Sequence, residues 1–293
     1  MLKAALGFLA ALLITATATA QPDPSMFAAE VVPPVQGELI PLPTVDPQSE
    51  NAEQWNRVFG QVWVRNVSHP GLYRVAPKNG RGNGRAVIVV PGGGYSFVSI
   101  ESEGFWVAER LAAQGYTAFV LKYRPRTTPA GMEEFIAALV ADFGNLGQRQ
   151  LPDHPPAVDD LAAAITLIRE RAAEWEIDPG SIGAIGFSAG SRTTIRLLEN
   201  HPEAALLDHV GLIYPPMAQT IAPGPRPDLF MAIAVDDPLF RQGGLTMVDS
   251  WLAESQAVEF HLYSGGEHGF GLRPQGTTSD LWIDQYLAWL ALQ

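Results

Sequence analysis

One stretch constrains this chain more than any other: Ser181 to Gly190, which reads SIGAIGFSAG. Ile182 to Phe187 is an apolar run of small and β-branched residues, the signature of a strand buried on both faces. It ends in Gly186-Phe187-Ser188-Ala189-Gly190, the G-x-S-x-G pattern of a nucleophile elbow. The pattern has a steric cause. A serine on a very tight strand-to-helix turn is pushed into strained backbone angles, and its neighbours two positions to either side must lack a Cβ. Such a turn lifts the Ser188 hydroxyl out of the sheet. The helix that follows, read over Arg192 to Asn200, aims its first N–H groups at the same spot. An ordinary glycine-rich turn would carry the same letters, so the rest of the chain decides between the two.

From Ala86 onward strands and helices alternate. Strands are expected at Ala86–Val90, Thr117–Tyr123, Ile182–Phe187, His209–Tyr214, Leu229–Val235 and Val258–Tyr263. Helices are expected at about Glu103–Gln114, at Val158–Trp175, where Leu161, Ile165 and Ile168 keep helical spacing, at Leu245–Ser255, and at the amphipathic Ser279–Leu292. Alternation of this kind specifies a mostly parallel central sheet with helices on both faces. Before it, Gln61–Asn66 and Leu72–Ala76 read as short antiparallel strands around the turn-prone Ser68-His69-Pro70-Gly71. Two segments interrupt the rhythm, Pro129 to Pro155 with a helix-like Met132 to Phe143, and the proline-bearing Pro215 to Pro227. Both should hang over the carboxyl ends of the strands, where ligands bind in open α/β sheets.

Residues 1–20 read as a leader: Lys3, an apolar run from Ala4 to Ile14, then Ala18-Thr19-Ala20 as a small-residue cleavage site. That run is too short to span a bilayer, so no membrane anchor is expected after cleavage. Residues 21–60 follow as a proline-rich N-terminal arm and 61–293 as the catalytic domain. The product should be exported, to the periplasm or outside the cell. No cysteine is present, so an exported chain must be held by its core rather than by disulfides. The formal net charge of −12 and the absence of a basic cluster argue against a nucleic-acid partner.

A serine nucleophile needs a base, a carboxylate to orient that base, and N–H donors for the oxyanion. Candidates for each lie at strand ends. Val235-Asp236-Asp237-Pro238 ends one strand, and Gly265-Gly266-Glu267-His268-Gly269-Phe270 follows the last. The order Ser188, Asp237, His268 leaves room for the intervening strand-helix units. Asp237, followed by Pro238-Leu239 as though opening a loop, is the preferred acid, with Asp236 as the alternative. His69, His154, His201, His209 and His261 sit in turns or within strands and fit the base role less well. Pro91-Gly92-Gly93-Gly94-Tyr95 ends the strand Ala86–Val90, and Gly93 or Gly94 with Ala189 is expected to form the oxyanion hole. That loop lacks the Gly-Lys-Ser/Thr of a phosphate cradle, and no dinucleotide or zinc motif appears, so neither a cofactor nor a metal is expected. Tyr95, Ser191 and Phe270 are candidates to line the substrate pocket.

Residues 91–124, 174–191, 234–240 (AVDDPLF) and 264–271 (SGGEHGFG) together resemble the α/β-hydrolase esterases of the acetylxylan esterase-like and feruloyl-esterase-like kind. The resemblance runs from about Asn66 to Leu290. It implies an α/β-hydrolase fold, a Ser188-Asp237-His268 triad, and Gly93, Gly94 and Ala189 at the oxyanion hole. It also implies deacetylation of plant-wall polysaccharide or of small sugar esters. The chain departs from the pattern at Ser191-Arg192, where Gly-His or Gly-Gly often follows the elbow, and in the length of Pro129–Pro155. A general small-ester carboxylesterase is the alternative. A prolyl-oligopeptidase-type peptidase ranks lower, since no propeller sequence precedes the domain. A hydrolase-fold carbohydrate-binding protein would have no need of the serine, acid and histidine together.

Overall fold

The computed structural model describes residues 29–35, 37–46, 48–80, 82–146, 151–255 and 257–293. The expected leader, residues 1–20, lies outside them. The strands in chain order are β1 (Ala29–Val31), β2 (Leu39–Pro41), β3 (Gln54–Val58), β4 (Gln61–Arg65), β5 (Gly71–Val75) and β6 (Ala86–Val90), then β7 (Thr117–Lys122), β8 (Ile182–Phe187), β9 (His209–Ile213), β10 (Asp228–Ala234) and β11 (Val258–Tyr263). Eight of them form one sheet in the order β11-β10-β9-β8-β6-β7-β5-β2. Pairing is parallel from β11 through β7 and antiparallel for β5 and β2.

Every residue of β6, β7, β8 and β9 is buried, which is why these segments read as continuous apolar runs rather than alternating ones. Helices Trp106–Ala113 and Trp282–Leu290 pack together in one layer, and Pro155–Glu170 packs with Ala189–Asn200 in another. The strand order reverses direction between β8 and β6, so loops leaving these two neighbours diverge and open a crevice at their carboxyl ends. The elbow and the glycine-rich loop leave the sheet at that point.

β4 and β5 are strands as expected, but they do not pair with each other. β4 joins β3 and β1 in a separate three-stranded sheet, while β5 pairs β2 and β7 in the main one. Part of the expected arm is therefore built in: β2 supplies the antiparallel edge of the main sheet. The small sheet carries a satellite core of Val58, Trp63, Phe97, Phe135, Ile136 and Leu139, with Trp63 and Phe97 stacked at 3.9 Å. Phe135, Ile136 and Leu139 come from the helix Met132–Leu146, within the interruption after β7. Arg65 ties that segment down. It donates to the carbonyls of Pro129 and Ala130, and its guanidinium lies 4.5 Å from the Phe135 ring centroid.

Candidate active site

Ser188 sits between β8 and the helix Ala189–Asn200 at φ 50°, ψ −109°, a conformation that L-residues rarely hold. Crowding around the turn explains the flanking glycines. A Cβ on Gly190 would come within 1.9 Å of the Val90 carbonyl oxygen, and one on Gly186 within 2.5 Å of the Gly190 carbonyl oxygen. The Ser188 amide donates to the Ile213 carbonyl at 3.0 Å, locking the turn to β9.

His268 comes from the loop after β11 and reaches the serine. Its Nε2 lies 2.8 Å from Ser188 Oγ and its Nδ1 2.8 Å from Asp237 Oδ2. Asp237 is fully buried, and its other oxygen accepts the amides of Leu239 and Phe240 at 2.8 and 3.0 Å. A carboxylate fixed in this way takes the Nδ1–H of a neutral imidazole and leaves the Nε2 lone pair for the serine hydroxyl. The rings of Tyr214 and Phe240 stand edge-on to the imidazole, with centroids 4.9 and 5.0 Å away. Asp236 does other work. Its carboxylate accepts the amides of Gly266 and Glu267 at 3.3 and 2.8 Å, clamping the histidine loop to the end of β10. Burial, then the nearby Asp236, pushes the Glu267 carboxyl up from the ordinary glutamate value.

The glycine-rich loop after β6 approaches the serine from the other side. A Cβ on Gly92 would lie 3.1 Å from Ser188 Cβ, and one on Gly93, at φ 130°, would strike the Phe97 carbonyl oxygen at 2.0 Å. Gly93 is therefore held in a backbone conformation open only to glycine, and Gly94, at φ 60°, lies in the left-handed region that glycine favours. Among the described residues the amides of Gly93, Gly94 and Ala189 have no backbone or side-chain acceptor. Ala189 is the first residue of its helix, where an N–H has no partner within the helix.

The three residues expected to line a substrate pocket are all buried. Ser191 donates to the carbonyls of Gly186 and Ile213 at 2.7 and 3.0 Å, bracing the elbow. The Tyr95 hydroxyl pairs with Thr193 Oγ1 at 3.1 Å, and Phe270 packs edge-on to Tyr214 at 4.7 Å. The other histidines bond elsewhere: His154 with the Arg124 carbonyl, His261 with Glu259 and His69 with Ser68. Glu103 was missed by sequence reasoning, which placed it at a helix start. It lies instead in a single wide turn, Glu101–Phe105, ahead of the helix Trp106–Ala113, and is buried beneath the glycine-rich loop. The one signal available was an acid set among Val98, Ile100, Phe105 and Val107.

The model of the dienelactone hydrolase family matches residues 72–285. An acetylxylan esterase of Xylanibacter ruminicola is 31% identical over 134 residues, covering 45% of this chain and 23% of that protein. The chain thus spans about a quarter of the length of that curated relative. Among solved structures, an acetyl ester-xyloside bifunctional hydrolase from Caldicellulosiruptor lactoaceticus superposes with a TM-score of 0.62 at 20% identity, over 88% of this chain and 96% of its own. A carboxylesterase from Lactobacillus plantarum gives 0.59 at 18% identity, over 88% and 98%. The architecture is the α/β-hydrolase fold.

Proposed function

Since this chain belongs to the dienelactone hydrolase family, hydrolases of the esterase type, we propose that it is a serine carboxylic-ester hydrolase working through a covalent acyl-enzyme. The observation that carries this reading is the unbroken path from Asp237 through His268 to Ser188, with 2.8 Å at each step.

His268 Nε2 takes the hydroxyl proton as Ser188 Oγ attacks the ester carbonyl carbon. The carbonyl oxygen becomes an oxyanion and accepts N–H donors from Gly93 or Gly94 and from Ala189, at a helix N-terminus whose dipole favours negative charge. Collapse expels the alcohol with the proton from His268, leaving an ester on Ser188. Water, deprotonated by the same imidazole, then releases the acid and restores the serine. Asp237 keeps the imidazole in the required tautomer and stabilises its charged form. The strained backbone at Ser188 keeps the hydroxyl presented throughout.

For substrate we propose acetyl esters of plant-wall polysaccharides or oligosaccharides. Support comes from the acetylxylan esterase relative and from the resemblance of residues 91–124 and 264–271 to such enzymes. Export through the leader at residues 1–20 belongs to the same proposal, since polymeric substrate lies outside the cell. The test is acetate release from acetylated xylan, acetylated xylo-oligosaccharides and aryl acetates. Turnover of the carbohydrate esters above the aryl esters is the expected result. Turnover of aryl esters alone would make the protein a general carboxylesterase.

A further inference from the structure

Glu103 is a buried acid that the proposed chemistry leaves unused, and its two hydrogen-bond partners, Gly92 and Tyr214, both border the site. Its Oε2 accepts the Gly92 amide at 2.7 Å, and its Oε1 accepts the Tyr214 hydroxyl at 2.7 Å. Among the described residues it forms no ion pair. Burial pushes its carboxyl up, while the Tyr214 and Gly92 bonds and the fields of His268 and Arg273 act in the opposite sense. A carboxylate placed here is costly, so what it holds in place matters.

Each partner leads to a different half of the machinery. Gly92 immediately precedes Gly93 and Gly94, the glycines proposed to supply the oxyanion amides, and a Cβ on it would lie 3.1 Å from Ser188 Cβ. Tyr214 follows β9 at φ 39°, a strained angle for a non-glycine residue, and its ring packs against His268. The Tyr214–Glu103 bond fixes that ring, and the Gly92–Glu103 bond fixes the start of the oxyanion loop. The wide turn that places Glu103 is pinned in turn, because Ser102 presents its carbonyl to the Leu272 amide at 3.3 Å, on the histidine side of the site. A turn of this kind is commonly found at functional positions.

We propose that Glu103 is a positioning residue, a single carboxylate that sets the oxyanion-hole loop through Gly92 and the wall against the imidazole through Tyr214. The proposal rests on the reading of Ser188 and His268 as nucleophile and base. Both contacts require an acceptor. Glutamine at this position can accept one of the two hydrogen bonds but must turn its NH2 towards the other donor.

The test is steady-state kinetics of the full chain on p-nitrophenyl acetate, normalised to reactive serine by end-point fluorophosphonate titration. Glu103→Gln should lower kcat on the order of 10- to 100-fold with KM within about threefold, because a displaced oxyanion donor acts mainly in the transition state. Tyr214→Phe should lower it by about three- to tenfold. In the double variant the facing donor is gone and the glutamine is free to accept from Gly92, so kcat should be no lower than in Glu103→Gln alone. A kcat within twofold of wild type for Glu103→Gln would overturn the proposal, as would a loss matched by an equal loss of titratable serine. If Glu103→Gln does not fold, Tyr214→Phe decides: a threefold or greater loss at full titre supports the proposal, and unchanged kcat overturns it. Ser188→Ala, run beside them, separates the two readings. If that variant is inactive while Glu103→Gln is unimpaired, only the positioning role is lost. If it stays active, the nucleophile assignment itself is wrong.

Discussion

His268 Nδ1 lies 2.8 Å from Asp237 Oδ2, while the adjacent Asp236 turns its carboxylate onto backbone amides of the loop that carries His268. Two neighbouring acids thus hold one histidine in different ways, one by its ring and the other through the amides of Gly266 and Glu267, the two residues before it. Asp237→Asn presents the wrong hydrogen-bonding group to the imidazole and should lower kcat on the order of 10⁴-fold with the fold intact. Asp236→Asn keeps an acceptor for one loop amide and should retain kcat within about tenfold, with a loss of stability of about 1 to 2 kcal/mol. Parallel kinetics and thermal melts check this. A crippled Asp236 variant beside an active Asp237 variant would reverse the assignment.

The elbow makes a sharper steric demand. The 1.9 Å approach of a Cβ at Gly190 to the Val90 carbonyl is to backbone at the centre of the sheet, which cannot yield as a flexible side chain can. Gly190→Ala should lose about 3 kcal/mol of stability or more, or fail to fold. A variant with wild-type melting would show that the strand-to-helix turn is looser than described.

Ser191 separates a bracing role from a specificity role. With its hydroxyl bonded to the Gly186 and Ile213 carbonyls, Ser191→Ala should destabilise the fold by about 1 to 3 kcal/mol. KM across acetate, propionate and butyrate esters should then move little. A changed chain-length preference at unchanged stability would return Ser191 to the substrate pocket.

All seven tyrosines are held above their ordinary value, chiefly by burial, with Tyr73 and Tyr263 at about 12. An unfolded phenol ionises near pH 10, so the folded chain resists proton loss that the unfolded chain permits. The associated stability is present in full below pH 10 and is lost as pH rises through the folded-state values. Phenolate absorbance near 295 nm should therefore stay low in the native protein above pH 10 and appear together with loss of the far-UV circular dichroism signal. A smooth titration centred at pH 10 in protein that remains folded would contradict this.

The elbow, the order of serine, acid and histidine, and the buried strands were legible because each is a local demand. Gly186 and Gly190 follow from one turn, and Ile182–Phe187 is apolar because both of its faces are covered. The partners of β4 and β5 were not legible. Strands of five residues pair according to what the distant chain offers, and the segment that claims β4 lies upstream at Gln54–Val58. Nor was Glu103. An acid at the start of an apolar helical pattern, here Glu103 two residues after Glu101, reads as the first turn of a helix, where acids are common, and nothing in periodicity marks that its two acceptors meet Gly92 and Tyr214. Nor does the sequence show that Ser191, a small polar residue beside the nucleophile, turns its hydroxyl onto the Gly186 and Ile213 carbonyls.

Covalent labelling of the wild-type chain with a fluorophosphonate, mapped by peptide mass spectrometry, tests the central claim most directly. A single adduct on Ser188 is expected, formed with complete loss of esterase activity and slowed on the order of 10³-fold or more by His268→Ala. Esterase activity that survives the reagent while Ser188 remains unmodified would contradict the account.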